Sequence, residues 1–107
     1  MTEDIQELLR ELKKGLVRIY GDRLKAVYLY GSYARGEAHP PDSDVDVMIV
    51  LKGDFEYWEM ERESADLTAA LSLANDVVIS RVLVSDQEYR QSGMPLLVNV
   101  RSEGIAV

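Results

Sequence analysis

Two short motifs in the first half of the chain combine residue types that can bind phosphate and a divalent cation. The first is the turn Gly31-Ser32, and the second is Asp44-Val45-Asp46, which opens an apolar run. Glycine lets backbone N–H groups approach phosphate oxygens closely. Side chains two residues apart on a strand share a face, so both carboxylates point the same way. Mg²⁺ prefers oxygen ligands, and the pair therefore predicts a cation site.

The segments beside the two motifs predict the strands that would hold them. Residues 24–30 are apolar and aromatic apart from Lys25, which is typical of a mostly buried strand ending at the glycine turn. Residues 45–51 predict a second strand, whose odd-numbered positions face away from the acids. Taken singly, such a turn and such an acid pair are common in ordinary turns and solvated strand ends. Their combination predicts a cup for a nucleoside triphosphate and its Mg²⁺.

Helical periodicity predicts two long helices. The first is capped by Thr2 and presents one apolar face up to Gly21. The second covers 55–74, and its inward positions are predicted to be Met60, Leu67, Ala70, Leu71 and Ala74.

The remaining segments complete a small mixed sheet. A third strand is predicted over 77–84, followed by a helix with a capping box at Ser85 and a short helix that Pro95 begins. The tail 105–107 suits either a further strand or a docking surface. Together these elements predict an α+β or α/β-like fold, with a sheet of three to four strands and helices layered on one side.

Composition narrows the class of protein. A chain of 107 residues predicts a single domain spanning residues 1–107, so a large acceptor must be held by another protein. A net charge of −7 disfavours direct binding of nucleic acid, which needs a basic surface. The absence of cysteine excludes disulfides and thiolate zinc sites. The polar start without a signal-type apolar segment predicts a cytoplasmic protein with no membrane partner.

The two motifs resemble those of the minimal nucleotidyltransferases of the DNA polymerase beta-like superfamily, and the likeness lies in the residue types at 30–36 and 41–46. Residues 33–43 separate the serine from the first acid, a spacing within the variation of that family. A weaker likeness extends to residues 95–100 and 103–105, so the resemblance covers the whole predicted domain. It implies a polymerase beta-like nucleotidyltransferase fold.

The resemblance implies transfer of AMP from ATP to a hydroxyl group, with pyrophosphate as the leaving group. Asp44 and Asp46 would be the catalytic residues and the ligands of Mg²⁺, which offsets the charge that builds up in an in-line displacement. Gly31 and Ser32 would hold the β- and γ-phosphates.

Two further positions have more than one interpretation. Arg35 can bind phosphate through its forked guanidinium, or it can form a surface ion pair with Glu37 or Asp42. The family's third metal-binding carboxylate is not evident, because the count along the third strand places Ser80 there. Asp76 has the same parity but lies about 13 Å away along an extended strand. It is a candidate metal ligand if the strand is shifted or bulged, and otherwise a turn residue.

Resemblance also suggests the partner. Minimal nucleotidyltransferases are often the antitoxin of a pair whose toxin is a HEPN-type ribonuclease, so the chain is predicted to adenylylate a hydroxyl of such a toxin. An acidic surface suits docking to a basic, RNA-handling protein. The unclear third carboxylate supports an alternative, a weak or inactive module that neutralises its partner by binding. A stand-alone enzyme that modifies small molecules is disfavoured, since such enzymes usually carry an additional helical domain.

Overall fold

One four-stranded sheet organises residues 2–40 and 42–107, which this computed structural model describes. In chain order the elements are α1 Glu3–Tyr20, a 3-10 turn Gly21–Arg23, β1 Leu24–Tyr30, α2 Gly31–Arg35, β2 Val45–Leu51, α3 Tyr57–Asn75, β3 Ile79–Ser85, α4 Asp86–Gln91, α5 Pro95–Glu103 and β4 Ile105–Ala106. The sheet order is β3-β2-β1-β4, with β1 antiparallel to β2 and β4, and β2 parallel to β3. The predicted α+β fold with a small mixed sheet is confirmed, and the tail forms its fourth strand.

Helices cover both faces of the sheet. Odd-numbered residues of β2 pack against α1 and α3 in one core cluster. Even-numbered residues Met48 and Val50 are equally buried, beneath Leu97 and Val100 of α5 in a second cluster. The expectation of helices on one side is therefore wrong. A strand that is apolar at both parities must be covered on both faces, and α4 and α5 cover the second one.

The first helix follows its sequence signals. The hydroxyl of Thr2 accepts the N–H of Ile5 at 3.3 Å, and Glu3 and Asp4 lie in the first turn. Leucines at helical spacing are buried along one side, and Tyr20 completes that side. Within the described ranges, no helix is long and apolar enough to cross a membrane.

The inward face of α3 is as predicted at Met60, Leu67 and Leu71, which lie in or against the core, but differs at other positions. Ala70 and Ala74 are exposed, whereas Ser64 and Thr68 are buried. The polar side chains tolerate burial because they are satisfied: Ser64 Oγ accepts from Arg81 at 2.6 Å, and Thr68 donates to the Ser64 carbonyl at 2.8 Å. Periodicity alone favours alanine at inward positions, and it missed this polar stripe.

The third strand begins at Ile79, two residues later than predicted. Asp76 adopts a left-handed conformation (φ +51°) as the C-cap of α3, and the N–H of Val77 still bonds to the carbonyl of Ser72 at 3.1 Å. The backbone at 76–77 therefore finishes the helix and cannot yet pair in the sheet.

Candidate active site

The glycine turn and the acid pair meet at one end of the sheet. Because β1 and β2 are antiparallel, Tyr30 lies opposite Asp46, and Gly31 follows at the start of α2. A Cβ added to Gly31 would overlap the Oδ2 atom of Asp46, so the carboxylate lies directly against the glycine backbone. Gly31 also has φ +74°. Both features require glycine at this position.

The surroundings of Asp46 shift the pKa of its carboxyl group. Burial raises its pKa, the neighbouring charge of Asp44 raises it further, and Arg35 lowers it. These three side chains therefore lie close enough for their charges to interact. Asp44 is exposed and Asp46 is half-buried. A hard divalent cation would relieve the repulsion between the carboxylates, and two carboxylate ligands beside a cradle that only glycine permits suit such an ion. Asp44 and Asp46 would hold it.

The serine of the turn is free to bind a ligand. Ser32 is partly exposed, and among the described residues its hydroxyl has no hydrogen-bond partner. Its carbonyl accepts the N–H of Glu37 at 2.9 Å, which closes α2 around Gly36 in a left-handed conformation. The predicted phosphate-binding residues therefore stand beside the predicted metal ligands.

The candidate third carboxylate, Asp76, does not join the acid pair. Ser80 of β3 pairs with Asp46 of β2, so a hydroxyl stands beside the acid pair on the same face. Asp76 lies before β3 begins, at the end of α3. Among residues 2–40 and 42–107, no three His, Asp or Glu side chains are grouped to hold a metal ion. The structure thus brings Asp44 and Asp46 together with the glycine turn but does not bring Asp76 to them.

Of the two arrangements considered for Arg35, the structure shows the surface ion pair with Glu37. Its Nε donates to Glu37 at 3.0 Å, and a second guanidinium nitrogen lies 3.9 Å from a carboxylate oxygen of Glu103. Arg35 also acts on the pKa of Asp46. The arginine is therefore ion-paired at the surface and near the acid pair at the same time.

Sequence reasoning assigned no role to two residues of this region. Tyr30 is half-buried opposite Asp46, and burial, then the charge of Asp46, raises the pKa of its phenol. The sequence did contain a signal for Tyr30, because it is the last residue of the predicted first strand and directly precedes the glycine turn. Glu103 reaches Arg35 from the end of α5. The contact of Glu103 depends on how α5 packs on the sheet, and the residues next to Glu103 in the chain give no indication of it.

An acid pair on one strand, facing a glycine-serine turn on the neighbouring strand of a mixed sheet, is the arrangement of a nucleotidyltransferase. The sequence model described as a nucleotidyltransferase domain matches residues 9–94. The chain belongs to this family.

Curated relatives point to a more specific class. A candidate protein adenylyltransferase of Methanocaldococcus jannaschii is 35% identical over 80 residues, covering 75% of this chain and 79% of that protein. Another protein of the same organism and description is 33% identical over 86 residues, covering 80% and 79%. The chain is therefore similar to proteins named for adenylyl transfer to protein.

Solved structures share the fold. A toxin-antitoxin structure with AMP-PNP matches with a TM-score of 0.57 and 24% identity, covering 89% of this chain and 68% of that one. The complex of a tri-AMPylated Shewanella oneidensis HEPN toxin with its MNT antitoxin matches at 0.55 and 22%, covering 94% and 69%. A candidate nucleotidyltransferase of Sulfolobus solfataricus shares the fold as well, with a TM-score of 0.51 and 19% identity, covering 99% of this chain and 86% of that one.

Proposed function

We propose that the chain is an Mg²⁺-dependent protein adenylyltransferase that transfers AMP from ATP to a hydroxyl of a partner protein. The observation that carries the proposal is the seating of the Asp46 carboxylate on the Gly31 backbone, with Asp44 beside it. This seating brings two carboxylates and a glycine-serine turn into one small region, which supports their proposed binding of a cation and of phosphate. Relatives named as candidate protein adenylyltransferases support the same activity.

Each residue has a defined task in this reaction. Gly31 and Ser32 bind the β- and γ-phosphates and orient the triphosphate, while Arg35 offers a guanidinium to its oxygens. Asp44 and Asp46 hold Mg²⁺, which supplies charge stabilisation in the in-line displacement. The acceptor oxygen forms a bond to the α-phosphorus as the bond to the β-phosphate oxygen breaks and pyrophosphate leaves. Since no third carboxylate among residues 2–40 and 42–107 joins the pair, the acceptor proton passes to water or to a group of the partner.

The proposed partner is a HEPN-type toxin, which would make this chain the antitoxin. The match to an MNT antitoxin in complex with a tri-AMPylated HEPN toxin supports this pairing. The net charge of −7 suits a basic, RNA-handling partner, because complementary charge speeds and orients encounter.

The test combines purified chain, radiolabelled ATP, Mg²⁺ and the product of the neighbouring gene. We expect label on the partner and a mass gain of one or more AMP units, both lost with Asp44→Ala. Unlabelled partner with the wild-type chain, or equal labelling by Asp44→Ala, would refute the proposal.

A second function is favoured by one observation, the serine at the position beside Asp46. A site to which the described part of the chain brings two carboxylates and no third could belong to a module that neutralises a toxin by binding alone, keeping a nucleotide cup without turnover. Isothermal titration separates the two functions. A binding module forms a tight complex with its partner but binds ATP–Mg²⁺ feebly, whereas the enzyme binds both.

A further inference from the structure

The guanidinium of Arg35 is shared among several carboxylates. Its contacts to Glu37 (3.0 Å) and Glu103 (3.9 Å) come from the loop after α2 and from the end of α5. Asp46 adds a third negative charge near it. The positive charge beside the acid pair is therefore largely balanced by the protein itself.

Glu103 is poorly placed for the stability of its own helix. It is the last residue of α5, where the helix dipole disfavours a carboxylate and favours a cation. Its ionic partner is Arg35 of α2, so the pair links α5 to α2. The position of Glu103 is thus better explained by Arg35 than by α5.

Both ion pairs can be exchanged readily. The side chains of Arg35, Glu37 and Glu103 are 44%, 64% and 51% exposed, so water screens the contacts and the pairs are weak. A triphosphate offers several oxygens and more charge than one carboxylate, and a guanidinium binds such oxygens through two nitrogens at once.

Resting on the proposed function, we propose that Glu37 and Glu103 compete with the triphosphate of ATP for Arg35 and thereby set the nucleotide affinity. Each glutamate weakens binding in two ways that have the same sign. Its carboxylate attracts the guanidinium of Arg35, Glu37 through a hydrogen bond and Glu103 through charge at 3.9 Å, and its own charge repels the anionic ligand. Neutralising either glutamate therefore tightens binding.

Isothermal titration of ATP with excess Mg²⁺ tests this competition in the full chain. Glu103→Gln and Glu37→Gln are each expected to lower the Kd about threefold, the size typical of an exposed ion pair. Glu7→Gln is the matched control. That residue is also exposed and paired with an arginine, Arg10, but on α1, and its Kd should equal that of the wild type.

A double-mutant cycle shows whether the effect passes through Arg35. In an Arg35→Met background, simple repulsion predicts that Glu103→Gln tightens binding as much as in the wild type, whereas competition predicts a clearly smaller gain. Added salt should also reduce the gain. An unchanged Kd in both glutamine variants, or equal gains in the two backgrounds, overturns the inference.

The inference and the proposed function fail in different ways. Tighter ATP binding in the glutamine variants without AMP transfer upholds the competition and refutes the enzymatic function. AMP transfer with no change in ATP affinity does the reverse. No binding of ATP–Mg²⁺ by any variant refutes both.

Discussion

Gly31→Ala is the substitution that most directly tests the seating of Asp46. The residue has φ +74°, and an alanine there costs roughly 1–2 kcal/mol for the left-handed backbone. Its methyl group would also overlap Oδ2 of Asp46. To reach van der Waals contact, the carboxylate must move by roughly 1 Å. A misplacement of about that size at a reacting centre can cost about 100-fold in rate.

Gly36→Ala supplies a matched control five residues away. Gly36 has nearly the same φ, +72°, but a Cβ there meets nothing within 4 Å. It should therefore lose the same conformational energy, lowering Tm by roughly 5–10 °C in a domain of this size, and leave the acid pair undisturbed.

The two variants are compared by thermal unfolding, by Mn²⁺ titration and by the initial rate of AMP transfer measured as intact mass. Gly36→Ala is expected to retain cation binding and near-wild-type transfer below its Tm. Gly31→Ala should lose about 100-fold in rate at a temperature where both are folded. Equal rates and equal Mn²⁺ affinities in the two variants would show that Asp46 does not depend on the glycine cradle.

Three further predictions concern charge. Ser80→Asp adds a carboxylate beside Asp46 and should tighten Mn²⁺ binding about tenfold by titration, whereas Ser80→Asn should not. The pKa of the Asp46 carboxyl is higher in the folded state than in the unfolded chain, so the folded state binds the carboxyl proton more tightly. Stability therefore falls as the pH rises through the pKa range of this carboxyl. Asp46→Asn should therefore raise Tm at pH 7, an advantage that fades toward about pH 4. Arg81→Ala removes a nearly buried charge and should cost about 3 kcal/mol in urea unfolding, against under about 0.5 for exposed Arg90→Ala.

Elements with strong local signals were predictable from sequence. The strands over 24–30 and 45–51 have the predicted bounds, because their apolar runs end in a glycine turn or begin in a polar loop. The capping box at Ser85 is also confirmed, with Glu88 bonded back to the Ser85 N–H. These features depend only on residues near each other in the chain.

Features that depend on packing were not predictable. The buried face of α3 carries Ser64 and Thr68: Tyr20 and Arg81 supply partners to Ser64 from other elements, and Thr68 bonds to the Ser64 carbonyl. No helical period reveals such partners. The second covered face of the sheet likewise follows from the position of α5, which comes after β3 and α4 in the chain.

The candidate site divides along the same line. The contact between Gly31 and Asp46 could be anticipated. When two strands are antiparallel neighbours, a turn that ends the first strand lies beside acids that begin the second. The place of Asp76 could not, since a single left-handed residue delays β3 to Ile79. The contact between Arg35 and Glu103 joins segments far apart in the chain.

The charges around Asp46 describe a site that is balanced for a ligand carrying both signs. On one side stand Asp44 and Asp46, joined by no third carboxylate of the described ranges, and Ser80 occupies the paired position of β3. On the other stands Arg35, partly neutralised by Glu37 and Glu103. A bare triphosphate meets repulsion from the acids, and a bare cation meets only two strong ligands. Under the proposed function, a cation bound to the triphosphate would satisfy the acids, while the phosphates would take Arg35 from its glutamates. The groups that ATP–Mg²⁺ does not provide, a base and an oriented hydroxyl, are the ones that a protein acceptor would bring.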